Sequence, residues 1–180
     1  MAASTHTQPA DFAPDFIAAT RGTALEDCVR FWADNRAPDG LPRKDAIAMP
    51  RLPRKILPHV FLYEHTEERR FRCRLAGTAI TQEFGQDPTR FHLDELIVPA
   101  SLESRLVLFR GVLERRRPVV YGGRLADGAH QWKTFRRVLL PIADGCGVAR
   151  FVFGMVTFPK PSAGTFRETG GGTLEFQHWG

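Results

Sequence analysis

Between Phe71 and Gly85 the sequence changes its period in mid-run, which restricts what can lie on either side of it. Phe71, Cys73 and Leu75 alternate with Arg72 and Arg74, as in a strand with one apolar face. After Gly77-Thr78 the apolar residues Ile80 and Phe84 stand one helical turn apart, and Gly85 then supplies a stop. The stretch predicts a strand running directly into a short helix, with two guanidinium groups on the strand's second face.

The neighbouring segments answer this pattern. Val60, Leu62 and Glu64 alternate with Phe61, Tyr63 and His65, and the charged turn from Thr66 to Arg70 makes the two runs a hairpin. Upstream, Thr23 and Glu26 match a capping box, and Leu25, Cys28, Val29 and Trp32 form an apolar stripe that ends near Asp39-Gly40. That stripe has two candidate neighbours, the body of the domain or the same helix of a second chain. Pro42, Pro50, Pro53 and Pro58 rule out a long helix or central strand between residues 41 and 58.

Downstream, Ser101 is the expected cap of a longer helix lined by Leu102, Leu106, Phe109 and Leu113, with Arg115 to Arg117 at its cation-favouring end and Pro118 beyond. Val119 to Ala126 then leads through Asp127-Gly128 into His130 to Ile142, and Asp144-Gly145-Cys146-Gly147 returns the chain as Val148 to Phe158. In this last pair both parities mix: Trp132, Val138 and Leu140 go with Arg136, while Phe135 and Leu139 go with Arg137. The sheet face is not assigned there. The order of elements predicts an α+β fold, a five-stranded antiparallel sheet with short helices on one face and an extra N-terminal helix.

Composition narrows the functional classes. The 180 residues carry 25 Lys and Arg against 20 Asp and Glu, a net charge of +5, but the basic residues are scattered beside apolar stretches. A nucleic-acid-binding module is therefore a subordinate reading. Cys28, Cys73 and Cys146 show no CxxC spacing, and His59, His65, His92, His130 and His178 no paired spacing, so neither pattern builds a metal site. No run approaches the length of a membrane span or a signal peptide, and a cytoplasmic protein with reduced thiols is expected. Residues 1–22 read as a loosely ordered or short helical leader, 23–160 as one domain, and 161–180, with Gly170-Gly171-Gly172, as a flexible tail.

Trp32 and Arg36, Leu41-Pro42-Arg43 with Asp45, Leu57-Pro58-His59, Arg74-Leu75-Ala76-Gly77-Thr78, and Gly85 with Asp87 and Thr89 follow one another in an order that resembles the PAS sensor fold. The resemblance covers residues 25 to 158 and is to a short bacterial PAS-type family that often occurs without an effector domain. Arg90 stands where that family usually has glycine. The resemblance implies a sensory or regulatory module, not an enzyme, that holds a small organic ligand between sheet and helices or engages a regulatory protein. It also implies a homodimer through residues 24–36.

On that basis the candidate ligand-binding residues are Arg74, Arg72, Phe84, His92, Phe109 and Trp132. An inward Arg74 needs either an anionic ligand or a carboxylate, for which Asp94 and Glu95 are the candidates. No cofactor is expected. Haem is left with His92 alone near the covering helices, and the flavin photosensors' reactive cysteine has no counterpart in residues 78–84. The competing reading is a small α+β enzyme with a hydrophobic substrate and Asp94 as base, which requires Asp94 to be enclosed by apolar groups.

Overall fold

Thr23 starts the first long helix where its spacing predicts. Its Oγ1 accepts from the Leu25 backbone N at 3.2 Å, and Glu26 Oε2 reaches back to Gly22 N at 2.7 Å. The computed structural model describes residues 14–97, 99–126 and 132–158; the side chains of Phe84 and Trp132, the Asp127-Gly128 turn and the expected tail lie outside the described set. In chain order the elements are α1 (Pro14–Thr20), α2 (Ala24–Asp34), β1 (Val60–His65), β2 (Phe71–Ala76), α3 (Thr78–Phe84), α4 (Leu93–Leu96), α5 (Pro99–Arg115), β3 (Val119–Ala126), β4 (Trp132–Ala143) and β5 (Ala149–Thr157). Short 3-10 turns occupy the proline-rich connection between α2 and β1, as the four prolines demand.

The five strands form one antiparallel sheet in the order β2-β1-β5-β4-β3. Both of its faces are covered. On one side α3, α4 and α5 close over Phe61, Tyr63, Phe71, Phe135 and Val152; on the other, α1, α2 and the proline-rich connection close over Val60, Leu62, Val138, Leu140 and Phe153. This resolves the mixed parities of β4. Phe135 and Leu139 face α5 while Val138, Leu140 and Ile142 face α2, so neither face reads as a solvent face.

The second layer bears on two expectations. Leu25, Cys28 and Trp32 are exposed by 1% or less and pack on the chain's own sheet, with Trp32 Nε1 donating to the Pro141 carbonyl at 2.8 Å. The α2 stripe is thus packed within the chain, so a homodimer through residues 24–36 would have to use the outer face of the helix, where Arg30 is exposed and Val29 half-buried. Within the leader, expected to be loosely ordered or short helical, the described residues form α1, whose Phe16 is buried in the same core.

A β-bulge corrects the parity of β2. Leu62 pairs with Leu75 and Tyr63 with Cys73, which leaves Arg74 as the extra residue. Phe71 and Cys73 therefore face α5, but Leu75 turns to the α2 side. The free edge of β2 is blunted by the segment before α4: Cys73 N donates to the Phe91 carbonyl at 3.1 Å, and Arg72 bridges to His92. Arg90 ends a 3-10 turn there without a positive φ, so the missing glycine costs the turn nothing.

α5 begins at Pro99, two residues before the expected cap, and its buried stripe is Arg105, Leu108, Phe109, Val112 and Leu113, with Leu102 and Leu106 only half-buried. Its far end is fixed by Arg116, at φ 53, whose guanidinium donates to the Gly147 carbonyl at 3.1 Å and to Asp39 Oδ2 at 3.2 Å. Arg43 and Arg116 together hold the Asp39 carboxyl below its usual range.

Candidate functional site

The α5-facing side of the sheet is where aromatic and polar groups converge. Alternation along β1 sends Phe61 and Tyr63 inward, and Phe109 comes down from α5 to meet them. Its ring stacks with Phe61 at 6.5 Å and meets Tyr63 and Phe71 edge-on at 5.4 and 5.2 Å. Gly154 of β5 lies directly beneath Phe61: a methyl group there would collide with the ring and with the Val138 carbonyl, so only glycine lets the ring lie on the sheet.

Polar groups are threaded through this apolar set. Tyr63 hydrogen-bonds Cys73, whose Sγ donates to the Leu75 carbonyl at 3.4 Å, and burial pushes the Cys73 thiol up to about 11 and the Tyr63 phenol well above its ordinary range. Tyr121 of β3 lies opposite Arg137 of β4 in the strand register, and Arg137 Nη1 donates to Tyr121 Oη at 2.9 Å. The Arg137 guanidinium carbon lies 5.1 Å from the Phe135 ring centre and 5.7 Å from that of Phe61, while its Nε is buried without a partner. Arg105, at 9% exposure, places its guanidinium 5.6 Å from the centre of the Tyr121 ring. Burial moves the Tyr121 phenol up to about 12 despite the opposing charge of Arg105.

Three of the six residues singled out from sequence, Arg74, Arg72 and His92, lie elsewhere. Phe109 is the one candidate whose described side chain sits in this inner cluster. Arg74 is exposed and ion-paired to Glu64 at 2.6 Å, on the face to which Leu62 also points, with Arg150 Nε 3.5 Å from the same carboxylate. The predicted partners Asp94 and Glu95 belong instead to Arg70, at 2.8 and 3.1 Å, because Arg74 alternates with the α5-facing Cys73 and so points to the other face. Arg72 is exposed. His92 caps α4 and is held by Glu95, whose Oε2 accepts from the His92 backbone N at 2.6 Å. The enclosure that an Asp94 base requires is missing, since its side chain is 36% exposed and tied to Arg70.

The residues that sequence reasoning missed are Arg105, Tyr121 and the inward role of Arg137. The available signal was Arg105 itself, which stands at helical spacing with Leu108, Phe109 and Val112 and so had to share their face. A separate cleft of about 190 Å³ opens beside α5, lined by His65, Arg110, Leu113, Glu114 and Ala149. Among the described residues no cluster of His, Cys, Asp and Glu could hold a metal ion, and no helix is long and apolar enough to cross a membrane.

Solved structures similar to the chain include a variant of Vivid (14% identity, TM-score 0.41, covering 55% of this chain and 75% of that one). Others are the N-terminal domain of a diguanylate cyclase with PAS/PAC sensor from Marinobacter aquaeolei (13%, TM-score 0.40, 55% and 92%) and the light state of the blue-light photoreceptor Aureochrome1 LOV (8%, TM-score 0.39, 58% and 83%). No curated protein matches the chain. A family model described as PAS domain matches residues 20–157, nearly the whole of the described fold, and the chain belongs to that family of sensory and regulatory modules.

Proposed function

We propose that this chain is a PAS sensory module that binds a small organic ligand on the α5-facing side of its sheet and passes the change to a regulatory protein, without catalysis of its own. The observation that carries the reading is the polar set Tyr63, Cys73, Arg105, Tyr121 and Arg137 embedded among aromatic rings on that face. A core built for stability alone gains nothing from one buried and one half-buried cation, which cost more to desolvate than aliphatic side chains of the same volume. A ligand pocket needs such a mixture, an apolar lining with a few oriented polar groups.

The reading includes no haem or flavin, and the mutual contacts of the Phe61, Tyr63, Phe71 and Phe109 rings between β1, β2 and α5 support that choice. Native mass spectrometry of freshly purified protein tests the proposal. The expected result is a species heavier than the chain by a small organic mass, which leaves on denaturation and gives no flavin or haem absorption. Protein that shows the bare chain mass, and no change at Tyr121 or Phe109 in amide spectra on titration with cell metabolites, overturns it.

A further inference from the structure

Arg105 and Arg137 reach the same ring from different elements. Their guanidinium carbons lie 5.6 and 5.7 Å from the centre of Tyr121, so the two charges are at most about 11 Å apart. Arg137 is engaged by the Tyr121 hydroxyl through Nη1, and its Nε is buried with nothing to donate to. Arg105 stands on the buried stripe of α5 at 9% exposure. No carboxylate reaches either group among the described residues, although the outward arginines Arg43, Arg70, Arg74 and Arg116 are all paired with Asp or Glu. Contacts with aromatic faces offset only part of the desolvation of a buried guanidinium, and two unneutralised cations beside one ring repel each other.

We infer that Arg105 and Arg137 form the recognition end of an anion site, and that the ligand is a small carboxylic acid with an aromatic or apolar body. The planar forks suit a carboxylate, and the rings of Phe61, Phe135 and Tyr121 around them suit an apolar remainder. The inference rests on the reading of this face as a ligand site and names the chemistry of what fills it. Arg74 and Arg72, on the other side of β2, take no part.

The test compares benzoate, phenylacetate and hexanoate, each against its own neutral amide, by thermal unfolding and calorimetric titration of the full chain in a buffer free of other carboxylates and of phosphate. At least one acid is expected to raise the unfolding temperature with concentration while its amide does not, and Arg105→Met and Arg137→Met each to weaken that acid at least tenfold. Without ligand, Arg105→Met is expected to raise the unfolding temperature by roughly 2–4 °C, because it removes one of two unneutralised charges. Should a methionine variant not fold, Arg105→Lys keeps the charge, loses the fork, and gives the same comparison. An acid and its amide acting equally, or an acid response unchanged in both variants, overturns the anion site and leaves a ligand-binding PAS module standing. No response to any acid also overturns it; if native mass spectrometry then shows no retained molecule, the ligand-sensing reading falls with it.

Discussion

Arg74 and Arg105 show what a side chain's neighbours make of one chemistry. Arg74 lies on a bulge and meets Glu64, so its charge is neutralised at the surface, whereas Arg105 lies on a helix stripe and meets only rings. Arg74→Met is therefore expected to cost no more than about 1 kcal/mol in urea unfolding, because Arg150 remains beside Glu64. It should leave any ligand-induced thermal shift intact; loss of that shift would return Arg74 to the site. At Gly77 the constraint is steric. A Cβ there would strike the backbone oxygens of Leu57 and Pro58, so Gly77→Ala should destabilise by roughly 1–3 kcal/mol, at the upper end because backbone cannot step aside. A neutral outcome in the same assay would show that the two segments do not touch as described. The candidate site was less legible: a charged residue in an apolar stripe is read as an interruption, and Arg137 shared a strand whose two faces looked alike.

Elements were legible wherever their ends carry local chemistry. The Thr23 cap, the Gly85 stop at φ 68 and the Asp144 turn, whose Oδ1 accepts from Cys146 N and Val148 N at 2.9 and 3.0 Å, all stand where residue types placed them. The bulge at Arg74 was not legible, because it is set by how β2 fits β1 and leaves no mark in β2 alone. α4 is a single turn whose start is held by a capping box between His92 and Glu95, and this predicts a pH dependence. The His92 backbone N–H, with help from Arg70, holds the Glu95 carboxyl below its ordinary 4.5. A depressed folded value means that the stabilisation is complete above about pH 4.5 and disappears as pH falls through the folded value. Glu95→Gln should thus unfold at a lower temperature than the parent near neutrality, and the two curves should converge in acid; parallel curves would remove the cap's contribution. For α2 the anchor is Trp32, and Trp32→Ala should cost about 3–5 kcal/mol, since it opens a cavity and leaves the buried Pro141 carbonyl without its donor. Equilibrium denaturation reads that loss directly.

At the scale of the molecule, the sheet is the middle of three layers, and the two cores depend on each other through β5. Phe151, Phe153 and Met155 point to the α2 side while Val152 and Val156 point to the α5 side, so an apolar strand is stable only while both layers are in place. Sequence reasoning saw the five strands and the helix before them, but an amphipathic stripe states only that something covers it. Here the cover is the protein's own sheet, and this reverses what removal of the helix should do. If α2 were a dimerisation arm, a chain lacking residues 1–38 would remain a folded monomer. As a structural layer its loss uncovers Leu140, Ile142, Phe153 and Met155, each now at 1% exposure or less. The truncated chain should show no cooperative thermal transition and should bind a hydrophobic dye, as expected of a sheet stripped on one face. It should also fail to respond to any ligand of the opposite face, because the inward pitch of Tyr121 and Arg137 depends on the same strands. A truncated protein that melts sharply and behaves as a monomer in light scattering would return α2 to the role of an accessory arm.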